Sequence, residues 1–416
     1  MLYCFGMTAF LLFDDRLDDL SPLSDLRPSW EVRTGALTSR ARMEIQLGRR
    51  FDGCCVMRDL HAMLEGDASL RTEAPPGIYI NGRCVMLPPG VQTLAEGHLL
   101  IDPATGMILA AHLDKQAAAA LLRGDTPSGR ASVADGSRVM SRPWHVRTHR
   151  DACLGFDLDW FSAQLPVANR PAGVVAFGLS PFHAAESAQI YPGSMFDLEH
   201  GPIVLDEFAV VRPGAQLIGP CYVGPHSTVL ERATIRPGTA IGPWCKVNGE
   251  TGGTIFQGYS NKAHDGYVGD SWLGEWVNLG AGTTTSNLLN TYGEIIAKRK
   301  PDANNERTGQ QFLGSIIGDH TKTAICTRLM TGTVIHAGSM IATTAPASGC
   351  IPAFAWCTDA GTRSYRLDKF LEVMTAAMGR RKVSPSTAYV ARITRLHELE
   401  MARARAANVT KTEERA

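Results

Sequence analysis

The sequence has no surplus of either charge: 41 Lys plus Arg face 41 Asp plus Glu, for a formal net charge of +0 at pH 7. Without a global field there is nothing to draw nucleic acid or an anionic membrane surface, so neither is expected as a partner. It also lacks any run of about 18 apolar residues, so no segment is expected to span a membrane. The opening MLYCFGMTAFLLF is apolar, but it has no basic start and no small-residue cleavage site, and two aspartates follow at once. It reads as the approach to a first strand rather than a signal peptide. The ten cysteines contain no CxxC pair and no regular framework. Reduced thiols in a cytosolic protein are therefore expected. A glycine-rich phosphate loop is missing too, and the HRD triplet at 149–151 stands without a DFG, which removes a kinase reading.

What is present is a repeat. Leu205, Val211, Leu217, Val223, Val229, Ile235, Ile241 and Val247 are aliphatic residues six apart without a miss. Four residues after the first seven stand Ala209, Ala215, Cys221, Ser227, Ala233, Thr239 and Cys245, all small. A second run places Ile317, Thr323, Leu329, Ile335 and Ile341 six apart. Neither the 3.6-residue helix nor the two-residue strand period yields this beat. A solenoid of short strands does, three hexads to a triangular coil, with coils stacked at about 4.8 Å. The pattern resembles the hexapeptide-repeat, left-handed parallel β-helix family, and the left hand is what that resemblance implies.

After Val247 the count fails through NGETGGTIFQGYSNKAHDGY and returns with Val268, Leu273 and Leu279. The stretch holds Lys262-Ala263-His264, Tyr267-Val268-Gly269-Asp270, the run from Val277 to Thr283, and Ser286-Asn287. It is similar to the acetyltransferase half of the GlmU family, which joins glucosamine-1-phosphate acetyltransferase to N-acetylglucosamine-1-phosphate uridylyltransferase. That family carries K-A-G-H, Y-L-G-D, V-N-I-G-A-G-T and C-N-Y-D-G segments, and the same five-residue step from Val268 to Leu273. The overall match is nearer to a variant bacterial and archaeal branch of GlmU-like sugar nucleotidyltransferases.

Acetyl transfer from a thioester to an amine needs a base with a pKa near 7, which suits histidine. The resemblance places His264 there. It implies Asn287 as partner of the reacting amine, Tyr267 and Asn278 as ligands of the sugar phosphate together with Lys262, and Arg236 as the phosphate contact, with Arg212 its rival. Backbone N–H groups at Ala281 and Gly282 would meet the developing oxyanion. A family lysine upstream of the histidine has no clear counterpart; Lys246 and Glu250 are the candidates. His226, His320 and His336 share no spacing and are expected at the surface.

Before about residue 170 the sixfold count is absent. FLLF, GCCVM, GIYI and HLLI read as buried strands, with LDKQAAAALLRGD helical, which suggests an α/β domain with a mostly parallel sheet. The segment from residue 13 to 44 resembles the start of the variant sugar nucleotidyltransferase domain. Arg16, Arg27 and Arg33 are the candidate nucleotide contacts, and Asp14 or Asp102 the candidate Mg²⁺ ligands. SYRLDKFLEVMTAAMG and AYVARITRLHELEMARARAA read as amphipathic helices that cap the last coil.

The expectation is thus an α/β nucleotidyltransferase-like domain (1–170), a left-handed β-helix (171–350) and a helical cap (351–416). The resemblance implies acetyl-CoA as donor, an amino-sugar phosphate as acceptor, Mg²⁺ and UTP for the first domain, and a homotrimer. A β-helix that only oligomerises or regulates is the alternative. A hexapeptide-fold metalloenzyme would need converging histidines, and none follows His264 for fifty residues.

Overall fold

A computed structural model describes residues 8–15, 19–56, 60–64, 68–71 and 73–413. They fall into two compact units: one drawn from residues 1–20, 27–32 and 37–145, the other from 21–26, 33–36 and 146–416.

The first unit is built on a six-stranded mixed sheet in the order β2-β1-β3-β5-β4-β6. Its strands are β1 (Phe10–Phe13), β2 (Gly53–Cys55), β3 (Gly77–Asn81), β4 (His98–Ile101), β5 (Ile108–Leu113) and β6 (Arg130–Val133). β1 runs parallel to β2 and β3, and β4 to β6, while β5 is antiparallel to both its neighbours. Every residue of FLLF is buried because both faces of the sheet are covered: Phe10 and Leu12 join one core cluster, Leu11 and Phe13 the other. Helices α1 (Ser39–Leu47) and α2 (Lys115–Arg123) start on Thr38 and Asp114 caps and end on left-handed glycines, Gly48 and Gly124.

The second unit is the solenoid, with short parallel strands on three faces from about residue 175 to 358. The first face is a nine-stranded sheet from Phe182–Ala184 to Cys350–Ile351. The second face has six strands from Val175–Gly178 to Tyr267–Gly269, and the third five from Gln189–Ile190 to Asn261–Lys262. The third face continues through Asn278 to Lys322–Thr323. All eight aliphatics of the first hexad run are at 0 % exposure and share one core cluster. The seven small partners are at 0 % as well, because a larger side chain at the corner would have no room inside the prism.

Two features depart from the sequence reading. The break in the count after Val247 is not a loop leaving the solenoid. The coil continues but shortens: Asn261 pairs with Lys246, 15 residues earlier, where 18 separate Lys246 from Thr228. The true excursion comes later, between Thr284–Thr285 and Ile316–Ile317, and folds back through the antiparallel pair Ile296–Ala297 and Glu306–Arg307. Second, the corner between the first and third faces carries Phe208, His226, Trp244, Tyr259, Trp276 and His320, all at positive φ. Left-handed backbone costs a non-glycine residue roughly 1–2 kcal/mol. Ring stacking offsets it, with centroids of successive rings 4.2 to 6.3 Å apart.

His226 is exposed in that column, as expected. His320 and His336 correct the surface assignment: they are 1 % and 4 % exposed. His320 bonds the Tyr389 hydroxyl at 2.7 Å, and His336 sits between Ser21 Oγ and the Arg299 carbonyl. Helix α3 (His145–Gln164) precedes the coils; α4 (Leu367–Gly379) and α5 (Thr387–Glu413) follow them. α4 and α5 pack Phe370, Met374, Met378 and Ile393 with Trp276 and Phe354, so they flank the corner column rather than only closing the last coil. Among the described residues no helix is long and apolar enough to cross a membrane.

Candidate functional site

After Asn261–Lys262 the chain turns from the third face to the second through residues 263–266. Gly266 closes this turn at φ 108°, and a Cβ there would collide with the Thr283 carbonyl, so the next coil lies directly against it. The turn leaves His264 exposed. Its side chain lines a cavity of about 380 Å³ with Lys246, Asn278, Gly280, Ala281 and Ile325. Neither Ala281 nor Gly282 spends its backbone N–H on another described residue, while Ala281 O is taken by Cys326 N at 2.7 Å. An imidazole and the unspent amide donor of Ala281 beside an apolar wall are parts that proton removal and oxyanion binding require, with Gly282 next to them in sequence but outside the cavity's lining.

Lys262 corrects a sequence expectation. In the pairing Val247↔Lys262 it takes the inward position that holds an aliphatic residue in the coil before, so it cannot reach a substrate from there. It is 1 % exposed, and Nζ donates to Asn248 O at 2.8 Å and His264 O at 3.1 Å, tying down the catalytic-candidate turn from below. Burial pulls its ammonium down to about 8, against the smaller opposing pull of Asp265 and Glu250. The unfolded chain, with the ordinary lysine value near 10.4, therefore binds more protons than the folded one between pH 8 and 10.4, and this lysine's contribution to stability rises with pH across that window. Wild type is expected to gain stability relative to Lys262→Met between pH 8 and 10, read as the difference in urea midpoints. A constant difference would remove the assignment.

The remaining acyl-site candidates lie on the second face and its corner with the first. Asn287 Nδ2 donates to Tyr267 Oη at 3.1 Å and to Asp270 Oδ2 at 2.8 Å. Asp270 Oδ1 in turn takes Arg147 Nε at 2.8 Å and Arg150 Nη1 at 2.7 Å from helix α3. Arg150 also reaches the Gly253 carbonyl at 2.6 Å; Gly253 has φ 55°, and any Cβ there would strike this guanidinium. The Tyr267 hydroxyl is raised above its usual value, chiefly by burial and then by Asp270. Arg236 is ion-paired to Glu250 at 2.7 Å on the exposed second face, and Arg212 to Glu231 at 2.8 Å. The sequence-derived residues thus divide. His264, Asn278 and Ala281 share one cavity, whereas Arg236, Tyr267 and Asn287 belong to the neighbouring face and line neither that cavity nor the one beside it. Arg147, Arg150 and Asp270 were missed as functional candidates; the available signal was two arginines three apart on one helix, one of them in the discarded HRD triplet.

In the first unit, a cavity of about 270 Å³ opens at the C-terminal ends of β1 and β3, lined by Phe13, Asp15, Asn81, Met107 and Leu121. Ligands of open α/β sheets bind at such strand ends. Asp15 Oδ2 lies 2.6 Å from Arg83 Nε, with the charges in contact although the N–H is not aimed at the oxygen, and Asn81 Nδ2 is 3.3 Å from the same oxygen. None of these three was singled out from the sequence, because they stand apart from any motif.

Of the earlier candidates, Arg16 lies outside the described residues. Arg27 is buried. Arg33 is committed within the second unit: its N–H and Nε bond Gln257, and Nη1 the Ala36 carbonyl. Asp102 closes the β4–β5 turn, its Oδ2 accepting from Thr105 N at 2.9 Å and Thr105 Oγ1 at 2.6 Å. Asp14 is 3 % exposed, with its N–H on Cys55 O. One carboxylate spent on a turn and one sealed in the sheet do not fit a resident Mg²⁺, which needs accessible oxygens beside its waters.

Residues 10–164 match a protein family described as sugar nucleotidyl transferase. Similar curated proteins include the bifunctional protein GlmU of Rippkaea orientalis, 34 % identical over 27 % of this chain and 24 % of the relative. The bifunctional sugar-1-phosphate nucleotidylyltransferase/acetyltransferase of Sulfurisphaera tokodaii is 31 % identical over 34 % of this chain and 35 % of the relative. The matched stretches thus span about a quarter to a third of those relatives' length. Among solved structures, a hexapeptide transferase family protein from Anaplasma phagocytophilum covers 53 % of this chain and 95 % of its own, at 14 % identity and a TM-score of 0.23. The acetyltransferase domain of PglB from Neisseria gonorrhoeae, in complex with acetyl coenzyme A, covers 86 % and 99 % at 11 % identity and a TM-score of 0.17. Both superpositions are too loose to bear on the site.

Proposed function

We propose, for a chain that joins a sugar nucleotidyl transferase domain to a hexapeptide acetyltransferase-like β-helix and has distant GlmU-like relatives over part of its length, that the β-helix transfers an acetyl group from acetyl-CoA to the amine of an amino-sugar phosphate, glucosamine 1-phosphate first among them. His264 takes the amine proton as nitrogen attacks the thioester carbonyl. The oxyanion rests on the N–H groups of Ala281 and Gly282. That attack forms the C–N bond and the oxyanion together; the oxyanion then collapses, the C–S bond breaks, and the departing thiolate of coenzyme A takes up the proton held by His264. Asn278 orients the acceptor. The observation that carries this reading is the exposed His264 lining one cavity with Ala281, whose backbone N–H is bonded to no described residue.

Arg236, Tyr267 and Asn287 would complete the acceptor site from a neighbouring copy in a cytosolic homotrimer. This accounts for their position on the next face of the same chain. The first unit would hold the sugar phosphate or nucleotide at the Asp15–Asn81 crevice, for uridylyl transfer toward UDP-N-acetylglucosamine. A β-helix that only oligomerised would have no use for an exposed histidine on a shortened coil.

The test is to incubate the protein with acetyl-CoA, UTP, Mg²⁺ and a panel of amino-sugar phosphates, and to follow thiol and pyrophosphate release separately. Thiol release with one of the amino sugars is the expected result. No thiol release above the acceptor-free rate with any of them would sink the proposal.

A further inference from the structure

The inward row of the third face runs Ile190, Val211, Val229, Val247, Lys262, Leu279, Thr323 and Ile341, fixed by the strand pairings and bridges. All but two of these are aliphatic. The exceptions, Lys262 and Thr323, are both buried and lie on either side of Leu279. Lys262 stands at the foot of the turn that presents His264. Thr323 lies one coil beyond the turn that presents Ala281 and Gly282.

Each of the two directs its polar atoms at one of these turns. Lys262 Nζ holds the carbonyl of His264 at 3.1 Å and that of Asn248 at 2.8 Å, so the turn is braced against the coil before it. Gly249 packs so closely here that a Cβ would come within 2.7 Å of Nζ and 2.8 Å of Gly266 O, which leaves the ammonium little room to move. Thr323 Oγ1 accepts the Gly280 N–H at 3.0 Å and lies 2.7 Å from Thr283 Oγ1, which reaches Ala324 O at 3.4 Å. Thr283 N–H closes on Gly280 O at 3.1 Å. The first and last residues of the Gly280–Thr283 turn are therefore fixed from inside, and the two between them, Ala281 and Gly282, keep N–H groups that no described residue takes. An ammonium or a hydroxyl is more costly to bury than an aliphatic side chain even with its bonds made. Valine fills this place at Val211, Val229 and Val247, so packing alone calls for neither a lysine nor a threonine.

We infer that Lys262 and Thr323 are positioning residues of the acyl-transfer site that act from inside the prism: Lys262 fixes the backbone of the turn that carries the His264 imidazole, and Thr323 fixes the turn that carries the Ala281 and Gly282 donors. The inference rests on the acyl-transfer reading for what those turns do. Neither side chain touches a substrate. Together they hold the base and the oxyanion donors in one relative geometry, and a displacement of about 1 Å within such a constellation lowers the rate roughly 10²-fold. Bracing from within also leaves the outer surface of both turns open to donor and acceptor. An exposed turn has few packing contacts of its own to set its geometry, so the interior supplies them.

The experiment compares the full-length wild type with Lys262→Met, Thr323→Val, Thr323→Ser and Val229→Thr. Valine has the shape of threonine, so Thr323→Val removes a hydroxyl without opening a cavity. Val229→Thr makes the reverse exchange in the same row, two coils before Lys262. Folding is checked by thermal melting, and kcat is referred to folded protein. In Lys262→Met and Thr323→Val the kcat for acetyl transfer is expected to fall about 10- to 100-fold while the KM for acetyl-CoA stays within about twofold of wild type. Thr323→Ser keeps the acceptor for Gly280 N–H and should keep most of the rate, and Val229→Thr should lose stability alone. A kcat within about twofold of wild type in Lys262→Met or Thr323→Val removes that residue's role. A fall of equal size in Val229→Thr would overturn both, since any polar exchange inside the prism would then suffice. A second readout needs no turnover: the NMR signals of the His264 imidazole, identified by its loss in His264→Ala, and of the Ala281 and Gly282 amides. The first should shift in Lys262→Met, the amides should shift in Thr323→Val and return in Thr323→Ser, and all should stay in place in Val229→Thr. Shifted signals in a protein that releases no thiol with any amino sugar would keep the bracing and remove the transfer reaction. Active wild type whose signals and kcat are unmoved in Lys262→Met and Thr323→Val would do the reverse.

Discussion

His264→Ala is expected to lower kcat for acetyl transfer by about 10²–10⁴, the usual worth of a positioned general base. The melting temperature should stay within about a degree of wild type, because an exposed turn side chain with no packing role contributes little to stability. The acceptor amine is protonated at neutral pH, so without the imidazole a deprotonated amine must be drawn from solution, which places the loss on the chemical step and leaves acetyl-CoA binding intact. Added imidazole should restore part of the rate, since the cavity beside the deleted ring has room for it. Turnover within fivefold of wild type would assign the proton to another group.

Asp270→Ala should give the largest change in stability and a large loss of activity together. One carboxylate holds Arg147, Arg150 and Asn287, and the side chains of Arg150 and Asp270 are only 8 % and 14 % exposed. Removing it leaves two guanidiniums with only the exposed Asp151 as counter-charge, 2.7 Å from Arg150 and 3.9 Å from Arg147. Breaking a buried ion pair by deleting one partner costs about 3–5 kcal/mol, and the low end applies because Arg147 is 22 % exposed. Urea unfolding measures the loss. A change below about 0.5 kcal/mol, typical of solvated surface pairs, would show that helix α3 does not hold this corner through Asp270. Asn287 loses its anchor in the same variant, and Tyr267 the fixed partner it has in Asn287, so the KM for the amino sugar should rise even in the fraction that remains folded. Asp270→Asn keeps one acceptor oxygen and should fall between the two.

The architecture was legible because a solenoid is a one-dimensional object. Each inward residue from Leu205 to Val247 meets only the coil above and below, so its burial follows from its place in the count. The exposed position of His264 was legible for a related reason, since an irregularity in a strict repeat marks a point where packing no longer fixes each side chain. The resemblance did not reveal where Lys262 points. A shortened coil carries a lysine on the inward row where the coil before holds Val247, and only the pairing register tells which way a side chain points. The 18-residue spacing of Phe208, His226 and Trp244 was also available and went unread, because aromatic rings at regular spacing signify a stack only once the backbone is known to turn left-handed at each of them.

In the first unit, sequence composition and the alternation of apolar strands determined the α/β class, but not the site. Asp15, Asn81 and Arg83 converge from the ends of β1 and β3, and the nearest pair of those strands is separated by the whole of the chain that forms α1 and β2. Asp102 looked like a metal ligand and proved to be a turn residue, since carboxylates are as useful to a backbone N–H as to a cation.

By itself, then, the sequence determined which residues lie inside the prism, that the chain is built in two parts, and which imidazole stands at the broken coil. Those properties depend on near neighbours in a periodic chain. Only the tertiary structure decided that α3 lends its arginines to Asp270, that Arg381 beyond the end of α4 reaches Asn261, and that the candidate acyl-site residues divide between two faces. The first two join segments 120 residues apart, and pairing over such distances is settled by the shape and charge of the finished surface, which no local pattern encodes.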